Sequence, residues 1–364
     1  MTDQEKHENT GDADDKPSSN KQTENYSTIS EQKMFWLFMF FRGMVGIGEA
    51  SYAVISPSII ADMFTGTNRS RMLMFFYFAI PCVLCLFLII VFVKEPERGA
   101  AERPEGAHRP EKTRTSYFED LKSLAANATY VFSTAGYTAM IFMVGTLSWW
   151  VPTAIEHNYA YERGLNSTDQ LDPDTKAQVN LIFGTITCTG GIVGVAIGSV
   201  LSQWLREGVG PFRSVKTVRS DAVVCGLGAL ISIPSLYFAL REIPCNMAAT
   251  WVLMFICITS TCFNWATNVN MLMEVVVPTR RNAAVSWQTL ISHLFGDASG
   301  PYVLGMISDA IRGDDTSPYG NFNSLVTSFY LPNFLLVVSA ALFFVAAYTF
   351  VRDHKVFEVE MKKC

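Results

Sequence analysis

Beyond residue 33, long apolar runs alternate with short polar or charged stretches along nearly the whole chain. A run of about twenty apolar residues is long enough to cross the hydrocarbon core of a bilayer as a helix. Eight such runs are predicted, at 34–64, 72–93, 130–152, 179–204, 222–240, 247–277, 283–311 and 325–351. Residues 1–33 are rich in Asp, Glu, Asn, Ser, Thr and Lys and almost free of large apolar side chains, the pattern of a disordered acidic tail. Between 94 and 128 the chain turns charged and Pro-rich, which predicts a cytosolic linker ending in an amphipathic stretch at 117–124 that lies on the membrane surface. The expected organisation is a two-span segment at 34–93, this linker, a six-span half at 129–351 and a cytosolic tail at 352–364.

Loop charges orient the six-span half. Arg206, Arg213, Lys216 and Arg219 fall in one loop, Arg280 and Arg281 in another, and Arg352, Lys355, Lys362 and Lys363 in the tail, whereas the alternate loops are poor in basic residues. Basic loops stay in the cytosol, so this half is expected to start and end there. The 153–178 loop, on the opposite side, carries the sequon Asn166-Ser-Thr168, which makes Asn166 a candidate glycosylation site.

Composition agrees with an all-α membrane protein. Of 364 residues, 49% are hydrophobic and only 17% charged, and the net charge of −5 makes nucleic acid an unexpected partner. Cys82 and Cys85 form a CxxC, but it follows Pro81 inside an apolar run with no other ligand nearby, so packing is the expected role rather than metal or redox chemistry. The polar first thirty-odd residues do not read as a signal peptide. No nucleophile–base pair, metal cluster or nucleotide loop is legible, so neither an enzyme nor a cofactor is expected.

Ionisable residues inside spans are costly and mark functional positions. Arg42 and Glu49 lie seven residues apart in the first run, on one helical face, with Ser51 and Tyr52 just beyond. Arg42 could also snorkel to the interface and Glu49 pair with a neighbour. His293 and Asp297 sit one turn apart in the seventh run, either as a polar relay or as a structural hydrogen bond. Gly296, Gly300 and Gly305 flank them and suit close approach of a neighbouring helix. Arg280 and Arg281, in the tight turn before that run, read as topology and gate residues. Trp149 and Trp150 either line an apolar path or anchor a span end at the interface.

Several blocks resemble the Spinster-type lipid transporters of the major facilitator superfamily. Phe41-Arg-Gly-Met-Val-Gly-Ile-Gly-Glu-Ala-Ser-Tyr52 with Ile60-Ala-Asp-Met-Phe64 resembles that family's fourth helix. Phe75-Phe-Tyr-Phe-Ala-Ile-Pro81 resembles the start of the fifth, and Lys94-Glu-Pro-Glu-Arg-Gly99 the exit of the sixth. Leu181-Ile-Phe-Gly-Thr-Ile-Thr187 with Gly190-Gly-Ile-Val-Gly194 resembles the eighth. Pro278-Thr-Arg-Arg281 followed by Ser292-His-Leu-Phe-Gly-Asp297 resembles the tenth-to-eleventh helix region.

The resemblance implies a helical bundle of two six-helix halves around a central cavity, working by alternating access. It implies a lipid substrate of the sphingosine-1-phosphate or lysophospholipid class, protons as a candidate coupling ion, and residence in late endosomal, lysosomal or plasma membrane. In that picture Glu49 is the protonatable switch, Arg42 holds phosphate or pairs with Glu49, and Ser51 and Tyr52 donate hydroxyls. Departures are expected as well. Helices one to three have no counterpart, the fifth and sixth look fused, and Asn270 stands where the family usually carries an acid, with Glu274 one turn later. A shortened form that does not transport, or that works only as a dimer or with a partner chain, is the alternative.

Overall fold

The computed structural model describes residues 36–46, 57–77, 116–210, 213 and 215–363. Residues Met1–Ala53 and Val54–Cys364 form separate units. In the first unit, helix α1 spans Trp36–Gly46, and its apolar side chains from Trp36 to Phe41 are exposed. The run expected as one span at 34–64 is described only as α1 and a second helix, α2, at 57–63. Of the run expected at 72–93, residues up to Tyr77 belong to helix α3 (Gly66–Tyr77), and 78–93 lie outside the described residues with Cys82 and Cys85.

The second unit is a helical bundle whose passes alternate in direction. Helix α4 (Tyr117–Ala126) precedes α5 (Ala128–Glu162), α6 (Pro173–Glu207) and α7 (Ser220–Glu242). Then come α8 (Met247–Thr261), α9 (Asn264–Val275), α10 (Arg281–Ser292), α11 (Gly300–Arg312), α12 (Pro318–Ser328) and α13 (Tyr330–Lys363). Five helical runs among the described residues are long and apolar enough to cross a membrane: α5, α6, α7, α8 with α9, and α12 with α13. The sixth expected pass is present as α10 and α11, joined through a π-helical turn at His293–Asp297. Pro301 has no N–H to continue the helical ladder here, and the Ala298 N–H reaches back to the His293 carbonyl at 3.0 Å. The tail expected from 352 is instead a continuation of α13.

Helix α5 is the organising strut. It packs along α13, where Ser339 Oγ donates to the Gly136 carbonyl at 2.7 Å, and against the π turn, α11 and α12. Gly145 permits that second contact, because a Cβ there would fall 2.5 Å from the Asp297 Cα. Gly296, Gly300 and Gly305 face α5 in turn, meeting Ile141, the Phe142 carbonyl and Trp150. Small residues thus bring the backbones together as the sequence suggests. Trp150 spends its indole N–H on the Pro301 carbonyl at 2.9 Å, a packing role, whereas Trp149 is exposed.

Helices α8 and α9 are one pass broken at 262–263. Just before the break, Ser260 and Thr261 hydroxyls bond back to the Ile256 and Cys257 carbonyls at 2.8 and 3.0 Å, which favours bending. The amphipathic stretch at 117–124 lies in helix α4, which is capped by a Ser116–Glu119 capping box. It buries Leu124 and leaves Tyr117 and Phe118 exposed.

Candidate functional site

At the end of the bundle where α5 begins and α6, α9 and α13 finish, the chain assembles a buried ionic network. The turn after α2 puts Arg69 in the first turns of α3. Its Nε donates to Asn270 Oδ1 at 3.0 Å and its Nη2 to Glu274 Oε1 at 3.1 Å, both on α9. Arg206, on the last turn of α6, grips both Glu274 oxygens and donates to Asp221 Oδ2 at 2.9 Å. Asp221, in the first turn of α7, also accepts from Ser202 Oγ at 2.5 Å and Asn270 Nδ2 at 2.6 Å. Two guanidinium groups therefore face two carboxylates, and the amide of Asn270 bridges the pairs. Buried charges persist only when paired and hydrogen-bonded in this way. The edge is reinforced by Thr67, whose hydroxyl donates to Glu207 at 2.7 Å. His354 on α13 meets the Glu274 carbonyl through Nδ1 at 2.9 Å, and because a carbonyl only accepts, Nδ1 carries the proton.

A second pair extends the network. Arg281 is 1% exposed, donates to the Met273 and Val276 carbonyls at 2.7 and 3.3 Å, and lies 3.6 Å from Asp62 Oδ1 on α2. The turn at 276–280 folds Arg281 back beneath the end of α9, where a cation satisfies the last carbonyls. Arg280 points the other way, to Asp120 Oδ1 and Ser123 Oγ on α4, both at 2.8 Å. The apolar residues Ala61 and Leu73, from α2 and α3, are buried with Val195, Ala266, Val269, Met273 and Val285. Charge pairs and this apolar seam together fasten the 57–77 segment to the long helices.

Farther along the bundle, Met143, Leu147, Ile192, Val195, Ile258 and Trp265 line a mostly apolar cavity of about 350 Å³ between α5, α6 and the α8–α9 pass. Cys188 and Cys262 form part of its wall. Its size and apolar lining suit a hydrocarbon chain.

The other sequence-derived candidates are dispersed. Arg42 is exposed on α1 with its guanidinium 6.0 Å from the Phe38 ring centroid, while Glu49, Ser51 and Tyr52 lie outside the described residues. His293 and Asp297 pair at 2.8 Å with side chains 54% and 40% exposed. Asn166 is exposed in the loop at the end opposite the network. In the sequence Arg206 reads only as a loop charge, and neither Arg69 nor Asp221 stands out. The usable signal was that Arg206, Asp221 and Glu274 each fall at the same end of an apolar run.

Long apolar helices running in alternating directions, a glycine-packed broken pass and charge pairs joining separate segments define an all-α membrane-protein bundle. A solved bacterial homolog of the human lysosomal transporter Spinster, inward-facing and unoccupied, shares the fold, with a TM-score of 0.50 at 19% identity over 75% of this chain and 58% of that one. Among curated proteins, protein spinster homolog 1 of Mus musculus is 36% identical over 362 residues, covering 90% of this chain and 66% of that protein. The sphingosine-1-phosphate transporter of Danio rerio is 34% identical over 361 residues, covering 90% of this chain and 68% of its own. No protein-family model matches. The chain belongs to the Spinster family and is a multi-pass membrane protein; it spans about two thirds of the length of these curated relatives.

Proposed function

We propose that this chain carries an amphipathic lipid with a phosphate-bearing head, of the sphingosine-1-phosphate or lysophospholipid class, across its membrane by alternating access. The observation that carries this reading is the buried network joining α3 to α6, α7 and α9 through Arg69, Arg206, Asp221 and Glu274. Such an arrangement is a two-state contact: satisfied when the segments close, and replaceable by water when they part. The basic end carrying it faces the cytosol, so the network is a cytosolic gate and Arg280 and Arg281 flank it. The cavity walled by Cys188 and Cys262 takes the acyl chain. Support for the substrate class comes from the name of the Danio rerio relative. Residence in late endosomal, lysosomal or plasma membrane belongs to the same reading. In the first spans, Glu49 acts as a protonatable switch, Arg42 as a phosphate ligand, and Ser51 and Tyr52 as hydroxyl donors.

The test is export of labelled sphingosine-1-phosphate and lysophosphatidylcholine from cells expressing the chain, beside Glu274→Gln and Glu49→Gln. Export that Glu274→Gln reduces and that loses its pH dependence in Glu49→Gln is the expected result. A chain that inserts, reaches the membrane and exports neither lipid would refute the proposal and favour a non-transporting form or one completed by a partner chain.

A further inference from the structure

Every hydroxyl in the wall of the apolar cavity between α5, α6 and the α8–α9 pass is spent within its own helix. Ser148 Oγ donates to the Val144 carbonyl at 2.9 Å, Thr187 Oγ1 to Phe183 at 2.8 Å and Thr261 Oγ1 to Cys257 at 3.0 Å. The thiols of Cys188 and Cys262 behave as small apolar groups. The wall therefore offers a ligand close contacts and a place out of water, and little to orient a polar group. That chemistry fits a hydrocarbon tail rather than a charged head.

One wall position is a glycine. Helix α6 carries Gly190, Gly191, Gly194 and Gly198 in close succession. Three of them are explained by packing on the α8–α9 pass. A Cβ at Gly190 would meet Thr259 Oγ1 at 3.2 Å, at Gly194 the Thr259 carbonyl, and at Gly198 the Phe263 Cα at 2.6 Å. Gly191 is different: it lines the cavity, and a Cβ built there meets nothing within 4 Å. Its neighbours on that helix face, Thr187, Cys188 and Val195, line the same cavity, so a side chain at 191 would project there. The missing side chain does not bring two backbones together. It leaves volume in the cavity.

We propose that Gly191 determines the tail-length specificity of the carrier, the open position leaving room for the last carbons of a long lipid tail. The proposal rests on the reading of this cavity as the acyl-chain site. Each methylene moved from water into an apolar site strengthens binding by about fourfold, so affinity climbs with tail length until the cavity is full. Gly191→Leu adds about four carbons to the wall and should displace about as many carbons of tail. Gly191 thus acts by the space it leaves, not by a contact it makes.

The test is binding of labelled lysophosphatidylcholines with saturated tails of increasing length to the purified full-length chain in nanodiscs, beside export of the same lipids from cells. Affinity in the parent chain should climb with tail length and then level off. In Gly191→Leu it should level off about four carbons sooner, leaving the longest tails about a hundredfold weaker and the shortest unchanged. Gly191→Ala should move the break by about one carbon. Gly184→Leu, on the same helix and equally open but outside the cavity wall, should keep the parent profile. An unmoved break in Gly191→Leu would overturn the proposal, and so would a loss of equal size at every tail length. Should Gly191→Leu fail to fold, Gly191→Ala decides by the same break. A shifted break without any export would keep the role of Gly191 and refute the carrier reading, whereas export with an unmoved break would do the reverse. No binding at any tail length would overturn both.

Discussion

The guanidinium of Arg281 closes the C-terminal end of α9, taking the Met273 and Val276 carbonyls while Asp62 balances its charge. Removing one member of a buried pair strands the other, at a cost of about 3–5 kcal/mol. Arg281→Met should therefore lower the melting temperature strongly, and adding Asp62→Leu should restore part of the loss, because two apolar groups can replace a buried pair. A fluorescence-monitored melting curve checks both. The pair His293–Asp297 differs in kind. Its side chains are 54% and 40% exposed, and exposed pairs contribute about 0–1 kcal/mol. Asp297→Asn should leave the melting temperature nearly unchanged, and a large fall would show that the pair holds α10 to α11. Single residues were the least legible scale in the sequence. An Arg in a short loop reads as a topological charge whether it points to solvent, as loop charges usually do, or turns back under a helix end as Arg281 does. Burial depends on partners such as Asp62, more than two hundred residues away in sequence, and local pattern carries no information about them.

At the scale of elements, α5 is held to the π turn by backbone proximity rather than by large side chains. Gly145→Val would push branched carbons into the Asp297 backbone, and overpacking of this kind costs about 1–3 kcal/mol. Lower folded yield on size-exclusion chromatography is the expected outcome, with Gly145→Ala intermediate. Helix existence was highly legible. Apolar runs marked every long pass of the six-span half, and the glycines of the seventh run announced the close contact that α5 makes. The interruptions were not legible. Pro301 and the Thr-Ser-Thr run at 259–261 weaken a helix locally, but whether the chain bends, forms a π turn or runs straight is settled by the helices packed against it. Gly194 and Gly228, whose added Cβ atoms would collide with the Thr259 and Ser260 carbonyls, are those neighbours at the α8–α9 break.

At the scale of the whole molecule, the passes from α5 to α13 place Asn166 and the ionic network at opposite ends of the bundle. If the basic end is cytosolic, Asn166 is lumenal or extracellular, and Asn166→Gln should abolish a glycosidase-sensitive shift on gels of chain made in the secretory pathway. A shift that persists would invert the orientation or move the glycan elsewhere. Family membership was legible from a handful of sequence blocks, whereas the ionic network required the fold: Arg69, Arg206, Asp221 and Glu274 come from four separate helices and carry no common motif. Opening the gate should uncover the apolar seam beneath α2 and α3. A cysteine placed at buried Val269 should therefore react with an aqueous maleimide in the Arg69→Ala background and resist it in the parent chain.

The most direct test of the gate is lipid export by a chain carrying Thr67→Cys and Glu207→Cys, measured before treatment with a short bifunctional methanethiosulfonate, after it and after reduction. These positions meet at the edge of the network, where the Thr67 hydroxyl donates to Glu207, and neither belongs to the buried charge pairs, so a cross-linker that spans the gap between their side chains should hold the cytosolic end shut. Export that stops on cross-linking and returns on reduction is the expected result. Export that continues unchanged through a fully cross-linked chain would contradict the gate and, with it, the alternating-access account.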